Sequence, residues 1–168
     1  MGTGSHSETV TSIETRKEKI LIVDDEAPMR ELLQEALSGK GYDLLTAVDG
    51  KDALDQVLGQ QPDLILMDIR MPKLDGVTLC KALRVYKETR TTPIIILTAF
   101  GSRDRLEECI AAGADDFIAK PFDVLELRIR VRAMLKLKHV SDEVERLQKY
   151  ILALRELRGE VSSPESNT

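Results

Sequence analysis

Apolar runs of three or four residues recur along this chain, and most of them end in a polar residue that can do chemistry. Lys19-Ile20-Leu21-Ile22-Val23 leads into Asp24 and Asp25, and Leu64-Ile65-Leu66-Met67 leads into Asp68. Ile94-Ile95-Ile96-Leu97 leads into Thr98, and Phe117-Ile118-Ala119 leads into Lys120. The runs read as strands over 19–24, 63–67, 94–97 and 116–119, with a further strand over 43–47. The stretches between them carry helical spacing and stop at glycine or proline. They predict helices from Ala27 to a stop at Gly39, over 50–58, 76–86 and 103–112, and from about Asp123 onward.

The strands beginning at Lys19, Asp63 and Ile94 are continuously apolar rather than alternating, as expected of central parallel strands covered on both faces. Five βα repeats of this size imply an α/β fold: a doubly wound (βα)5 parallel sheet of flavodoxin-like topology, in the order 2-1-3-4-5. A ligand would sit at the carboxyl edge, beside the switch between the first and third strands. Asp24, Asp25 and Asp68 fall at that switch, with Thr98 and Lys120 on the same edge. Three carboxylates, a hydroxyl and an ammonium in one small volume can hold a magnesium ion and a phosphoryl group.

Composition narrows the options. The 168 residues suffice for one domain and an extension, and 42 % apolar content suffices for a core. A net charge of -5 argues against direct nucleic-acid binding. No apolar stretch approaches the roughly 20 residues of a bilayer span. The first 18 residues lack the apolar segment of a secretory signal, so the expected location is cytoplasmic, with no membrane partner. Residues 1–17 and 159–168 are polar and expected to be disordered, and 18–138 form the folded domain. Cys80 and Cys109 lack metal-ligand spacing and read as buried thiols, while His6 and His139 read as surface residues.

Taken singly, each site residue has a plainer explanation. Asp24 and Asp25 could cap a helix, Asp68 could sit in a turn, Thr98 could end a strand, and Lys120 could be solvated. Asp75, just before Gly76, reads as a helix cap. Joint placement of the other five on one sheet edge favours a common chemical role.

The motifs Ile22-Val23-Asp24-Asp25-Glu26, Leu66-Met67-Asp68-Ile69-Arg70-Met71-Pro72 with Asp75-Gly76, Thr98-Ala99, and Gly113 through Phe122 occur in this order. In that order and spacing they resemble the receiver domain of two-component response regulators, over about residues 18–138. The resemblance implies that Asp68 is the phospho-acceptor, supplied by a sensor histidine kinase or phosphotransfer protein. It implies that Asp25, Asp68 and the Arg70 backbone carbonyl bind Mg2+ directly, and that Asp24 binds it through water. Lys120 would pair with a phosphoryl oxygen, Thr98 and Phe117 would be the switch residues, and the Ala99 amide would assist. The Lys120–Pro121 bond would be cis. Arg70 and Phe100 would flank the path of the water that hydrolyses the acyl phosphate. Signalling would run through the face of the fourth helix, fifth strand and fifth helix.

Beyond 137, no glycine or proline appears until Gly159. Val140, Val144, Leu147, Ile151 and Leu154 are spaced 4, 3, 4 and 3, a heptad seam. The pattern predicts that the last helix runs on unbroken into a stalk, about 36 residues and roughly 54 Å in all. Its 139–158 portion would be a coiled coil joining a homodimer, with folding back onto the domain as the alternative. The basic residues Arg128, Arg130, Arg132, Lys136 and Lys138 read as a solvated face.

Two other functions compete with signalling. One is a magnesium-dependent aspartyl phosphohydrolase of the haloacid-dehalogenase type, which would place a second Asp two residues after the nucleophile, where Arg70 stands. The other is a coiled-coil scaffold with an inactive receiver, against which the intact five-residue set counts.

Overall fold

In the computed structural model, residues 16–99, 103–137 and 143–158 are described. The sequence expectations for the two termini, Phe100, His139 and Val140 lie outside the described residues. The elements alternate as β1 (Lys19–Val23), α1 (Ala27–Leu37), β2 (Asp43–Ala47), α2 (Gly50–Gln60), β3 (Leu64–Asp68) and α3 (Gly76–Val85). They continue as β4 (Ile94–Ala99), α4 (Arg103–Ala111), β5 (Asp116–Lys120), α5 (Val124–Lys136) and α6 (Glu143–Leu157).

The five strands form one parallel sheet in the order β2-β1-β3-β4-β5. Because side chains alternate across a strand, each apolar run feeds both faces. Leu21, Val23, Ile65, Met67, Ile94 and Ile96 pack with residues of α2, α3 and α4. Ile20, Ile22, Leu64, Leu66, Ile95 and Leu97 pack with residues of α1 and α5. A sheet buried on both sides explains the unbroken apolar runs. Cys80 and Cys109 are both buried as free thiols.

Short polar side chains set the helix starts. Asp49 accepts from the Asp52 amide at 2.8 Å, Asp75 from the Thr78 amide at 2.9 Å, and Asp123 from the Leu125 and Glu126 amides. Each such cap contributes about 1 kcal/mol. The start of α2 also supports the β3–α3 loop. Lys73, in that loop with φ +66°, pairs with Asp49 at 2.7 Å. A Cβ at position 50 would lie 2.0 Å from the Leu74 carbonyl oxygen, so only glycine lets the loop come this close.

Where the sequence predicts one helix running on as a stalk, the structure has two. α5 ends at Lys136 with Leu137 as its cap, and α6 lies against α5, running antiparallel. Long-range polar contacts that a heptad pattern does not encode hold it there. The Tyr150 hydroxyl donates to the Asp116 carboxylate, and Arg158 donates to both Glu126 oxygens at 2.8 and 2.9 Å. Tyr150 packs on the α1–α5 side of the core, and Ala153 is buried. Of the predicted seam, Val144, Leu147 and Ile151 are exposed and Leu154 is half-buried.

Candidate functional site

The parallel arrangement brings the strand ends to one edge. β1 delivers Asp24 and Asp25, β3 ends on Asp68, β4 carries Thr98 and Ala99, and β5 ends on Lys120. Registers place Asp68 opposite Leu97, and Ala99 opposite Lys120. All five expected residues therefore meet at this edge. Asp24, Asp25 and Asp68 each present a carboxylate oxygen, and these oxygens lie within 4.8 Å of one another.

One ammonium faces this crowd. Lys120 Nζ lies 3.2 Å from Asp24 Oδ2 and 3.7 Å from Asp68 Oδ1. Asp24 is fully buried, and its other oxygen accepts the Glu26 amide at 2.9 Å. It thus closes a turn ahead of α1 and is also a member of the acidic set. The Asp24 backbone carbonyl accepts from Arg30 at 2.7 Å, a contact that the sequence reading did not anticipate. Asp25 is exposed, and Asp68 is partly open.

Burial pushes the Asp68 carboxyl above the usual carboxylate range. Lys120 and the Ile69 and Arg70 amides pull it back, while the charge on Asp24 adds to the rise. A carboxylate that gains from a nearby cation is the expected result. Beside Asp25, Asp68 and Lys120 lies a cavity of about 300 Å³, walled also by Glu26, Met29, Arg70, Thr98 and Ala99. Glu26 and Met29 were missed by the sequence reading, although Glu26 extends the acidic run after β1.

Thr98 is buried, and its hydroxyl donates to the Ala99 carbonyl over a long 3.3 Å. Phe117 stands on β5 and is 42 % exposed. Arg70 is exposed at the rim. The Lys120–Pro121 peptide is cis. The residues fit a hard divalent cation: oxygen donors, mostly carboxylate, open to solvent on one side.

Comparison with known proteins gives the family. Residues 20–132 match the family model described as the response regulator receiver domain. The chain belongs to the response regulator receiver family. The receiver is 42 % identical over 130 residues to the response regulator MprA of Mycobacterium avium, covering 76 % of this chain and 55 % of that protein. It is 46 % identical over 121 residues to "Probable transcriptional regulator ycf27" of Guillardia theta, covering 71 % of this chain and 46 % of that protein. The chain spans about half the length of these curated relatives.

Among solved structures, it resembles the receiver domain of sensor histidine kinase PA1611 from Pseudomonas aeruginosa, described with a magnesium ion coordinated in its active-site cleft. The TM-score is 0.67 at 33 % identity, covering 72 % of this chain and 99 % of that one. The chemotaxis response regulator CheY4 of Vibrio cholerae gives a TM-score of 0.66 at 32 % identity, covering 71 % and 99 %. The doubly wound fold expected from the strand pattern is the family's fold. The receiver is a two-component signalling domain, and the phosphohydrolase and scaffold readings find no support. Among the described residues, no helix is long and apolar enough to cross a membrane.

Proposed function

We propose that this receiver accepts a phosphoryl group on Asp68. The carrying observation is Lys120 Nζ set between Asp24 and Asp68, at 3.2 and 3.7 Å, beneath an open acidic pocket. An Asp68 carboxylate oxygen attacks phosphorus, and the phosphorus–nitrogen bond of a phosphohistidine breaks. The imidazole nitrogen leaves with the electron pair and is protonated, giving an acyl phosphate on Asp68. Lys120 is placed to pair with a phosphoryl oxygen as its contact with Asp68 is traded away. Thr98 turns its hydroxyl from the long Ala99 contact toward the phosphoryl group, and the Ala99 amide adds a donor. Phe117 then moves from its exposed position toward the space that Thr98 leaves. Without a hydroxyl to keep hydrated, it packs inward at low cost.

Asp25, Asp68 and the Arg70 carbonyl would hold Mg2+ directly, with Asp24 acting through water. The ion supplies positive charge that offsets repulsion between the carboxylates and the phosphoryl group. The same residues support self-phosphorylation from small donors and self-dephosphorylation, with Arg70 over the water path slowing the latter. The donor is a sensor histidine kinase or phosphotransfer protein, and the setting is cytoplasmic. Output passes through the α4-β5-α5 face and the C-terminal helix. The exposed Val144, Leu147 and Ile151 of α6 suit a homodimer contact. This chain's net charge of -5 argues against its binding nucleic acid itself.

Acetyl phosphate with magnesium should add one phosphate per chain by intact mass, and Asp68→Asn should add none. An amide is a poor nucleophile and a poor ligand for a hard cation. Equal labelling of the variant would remove Asp68 from this role.

A further inference from the structure

The basic residues of α5 divide into two groups. Arg130 turns toward β5 and is matched by Asp116 and Glu126. Arg128, Arg132 and Lys136, together with Lys40 from the α1–β2 loop, line a cavity of about 590 Å³. It runs along α5, from Leu125 near the start of that helix to Lys136 at its end, where Glu18 and Tyr42 mark the amino edge of the sheet. Glu18 just before β1, Tyr42 just before β2, Leu125, Ile129 and Leu135 of α5 and Leu157 at the end of α6 complete its wall.

Several features set this cavity apart from an ordinary surface hollow. Its volume falls in the range of small-molecule pockets. Its lining sets four cations against one carboxylate in a chain whose net charge is -5. Among the described residues, none of those four cations forms an ion pair, whereas Arg84, Arg105, Arg130 and Arg158 all do. Arg128 is also fixed at the wall, its Nε donating to the Ala36 carbonyl at 2.6 Å. Tyr42, Ile129 and Leu157 add apolar surface beside the charges.

We propose that this cavity binds a small amphiphilic anion, with a phosphate or carboxylate among Lys40, Arg128, Arg132 and Lys136 and an apolar body against Tyr42, Ile129 and Leu157. The opposed charges match the ligand head, and the remaining wall matches its body. Leu157 belongs to α6, so occupancy favours the docked position of that helix by linkage. The site shares no residue with the acidic pocket and does not depend on phosphoryl chemistry there.

The test uses the full chain and the probe 8-anilinonaphthalene-1-sulfonate, followed by fluorescence and calorimetry. One dye should bind per chain. Decyl phosphate and decanoate, kept below their micellar concentrations, should displace it, and decanol should not. Arg132→Glu/Lys136→Glu changes two exposed side chains and should leave the melting temperature intact. Replacing charge-assisted contacts by repulsion should weaken binding by at least about tenfold. Leu157→Ser removes apolar wall without touching charge and should weaken binding about threefold or more. Asp68→Asn should bind as the wild type does. Dye binding unchanged in both cavity variants, or displaced equally by decanol, overturns the proposal. So does binding only to sedimented phosphatidylglycerol vesicles, which would make this face a membrane surface instead.

Discussion

The acidic pocket and the α5–α6 junction both bury carboxylates, and they treat them in opposite ways. In the pocket, one lysine reaches two of the three acids, and burial holds Asp68 above its ordinary range. At the junction, Asp116 and Glu126 are matched by Arg130, Arg158 and the Tyr150 hydroxyl. Burial and the bond to Asp116 raise the Tyr150 phenol, so it stays a donor. Arg130 is held charged by Asp116 and Glu126 against the opposing effect of burial. The junction is electrostatically complete and serves position. The pocket is left short of positive charge, a shortage that the proposed cation would relieve.

The contrast breaks most directly at Arg130. Arg130→Met should cost about 3 kcal/mol in urea unfolding, because it leaves Asp116 buried without its guanidinium. A loss near zero would mean that the junction is no tighter than a surface ion pair. Next in size is magnesium, which should raise the stability of the wild type by about 2.7 kcal/mol at a hundredfold excess over its dissociation constant. Calorimetric melting of Asp25→Ala should show far less gain. An equal gain in both would place the cation elsewhere.

A smaller effect has the opposite sign to the first. Without magnesium, Asp68→Asn should stabilise the fold by about 1 kcal/mol, because it relieves crowding among like charges. Destabilisation there would show that Lys120 already balances the pocket.

The smallest effect is a pH dependence at the junction. Burial raises the Glu126 carboxyl, but bonds from Arg158 and Arg130 outweigh it and hold the group below its ordinary value. A depressed carboxylate contributes stability that is present above its unfolded value, about 4.3, and is lost as pH falls through the lower folded value. The pair with Arg158 is partly open to solvent, so the contribution is about 0.5 kcal/mol. Amide shifts of α6 followed by NMR should move on acidification below about pH 4 in the wild type, and move less in Glu126→Gln.

The five polar groups of the pocket edge were legible in the sequence because each lies within two residues of the end of an apolar run. In a parallel sheet, adjacency to a strand end is adjacency in space. Asp24, Asp25, Asp68, Thr98 and Lys120 needed only the strand order to be brought together. The junction was not legible. Asp116, Arg130 and Tyr150 are far apart in the chain, and nothing local marks them as partners. The stripe from Val144 to Leu154 is a sound helical pattern, but α6 carries a second one through Tyr150, Ala153 and Leu157. Periodicity alone does not choose which stripe faces inward; the hydrogen bonds to Asp116 and Glu126 do. The basic cavity escaped notice for the same reason, since Lys40 joins the α5 cations only through the fold.

The close approach of Gly50 to the Leu74 carbonyl has a consequence for how this chain tolerates change. The loop pressed against that glycine begins where β3 delivers Asp68 and includes Arg70. A methyl group at position 50 cannot be absorbed by turning a side chain, because the obstructing atom is backbone. The loop would have to shift, and the surroundings of Asp68 with it. In a survey of all single replacements, position 50 should therefore score with the reactive aspartates rather than with the other helix starts, although it takes no part in any bond made or broken.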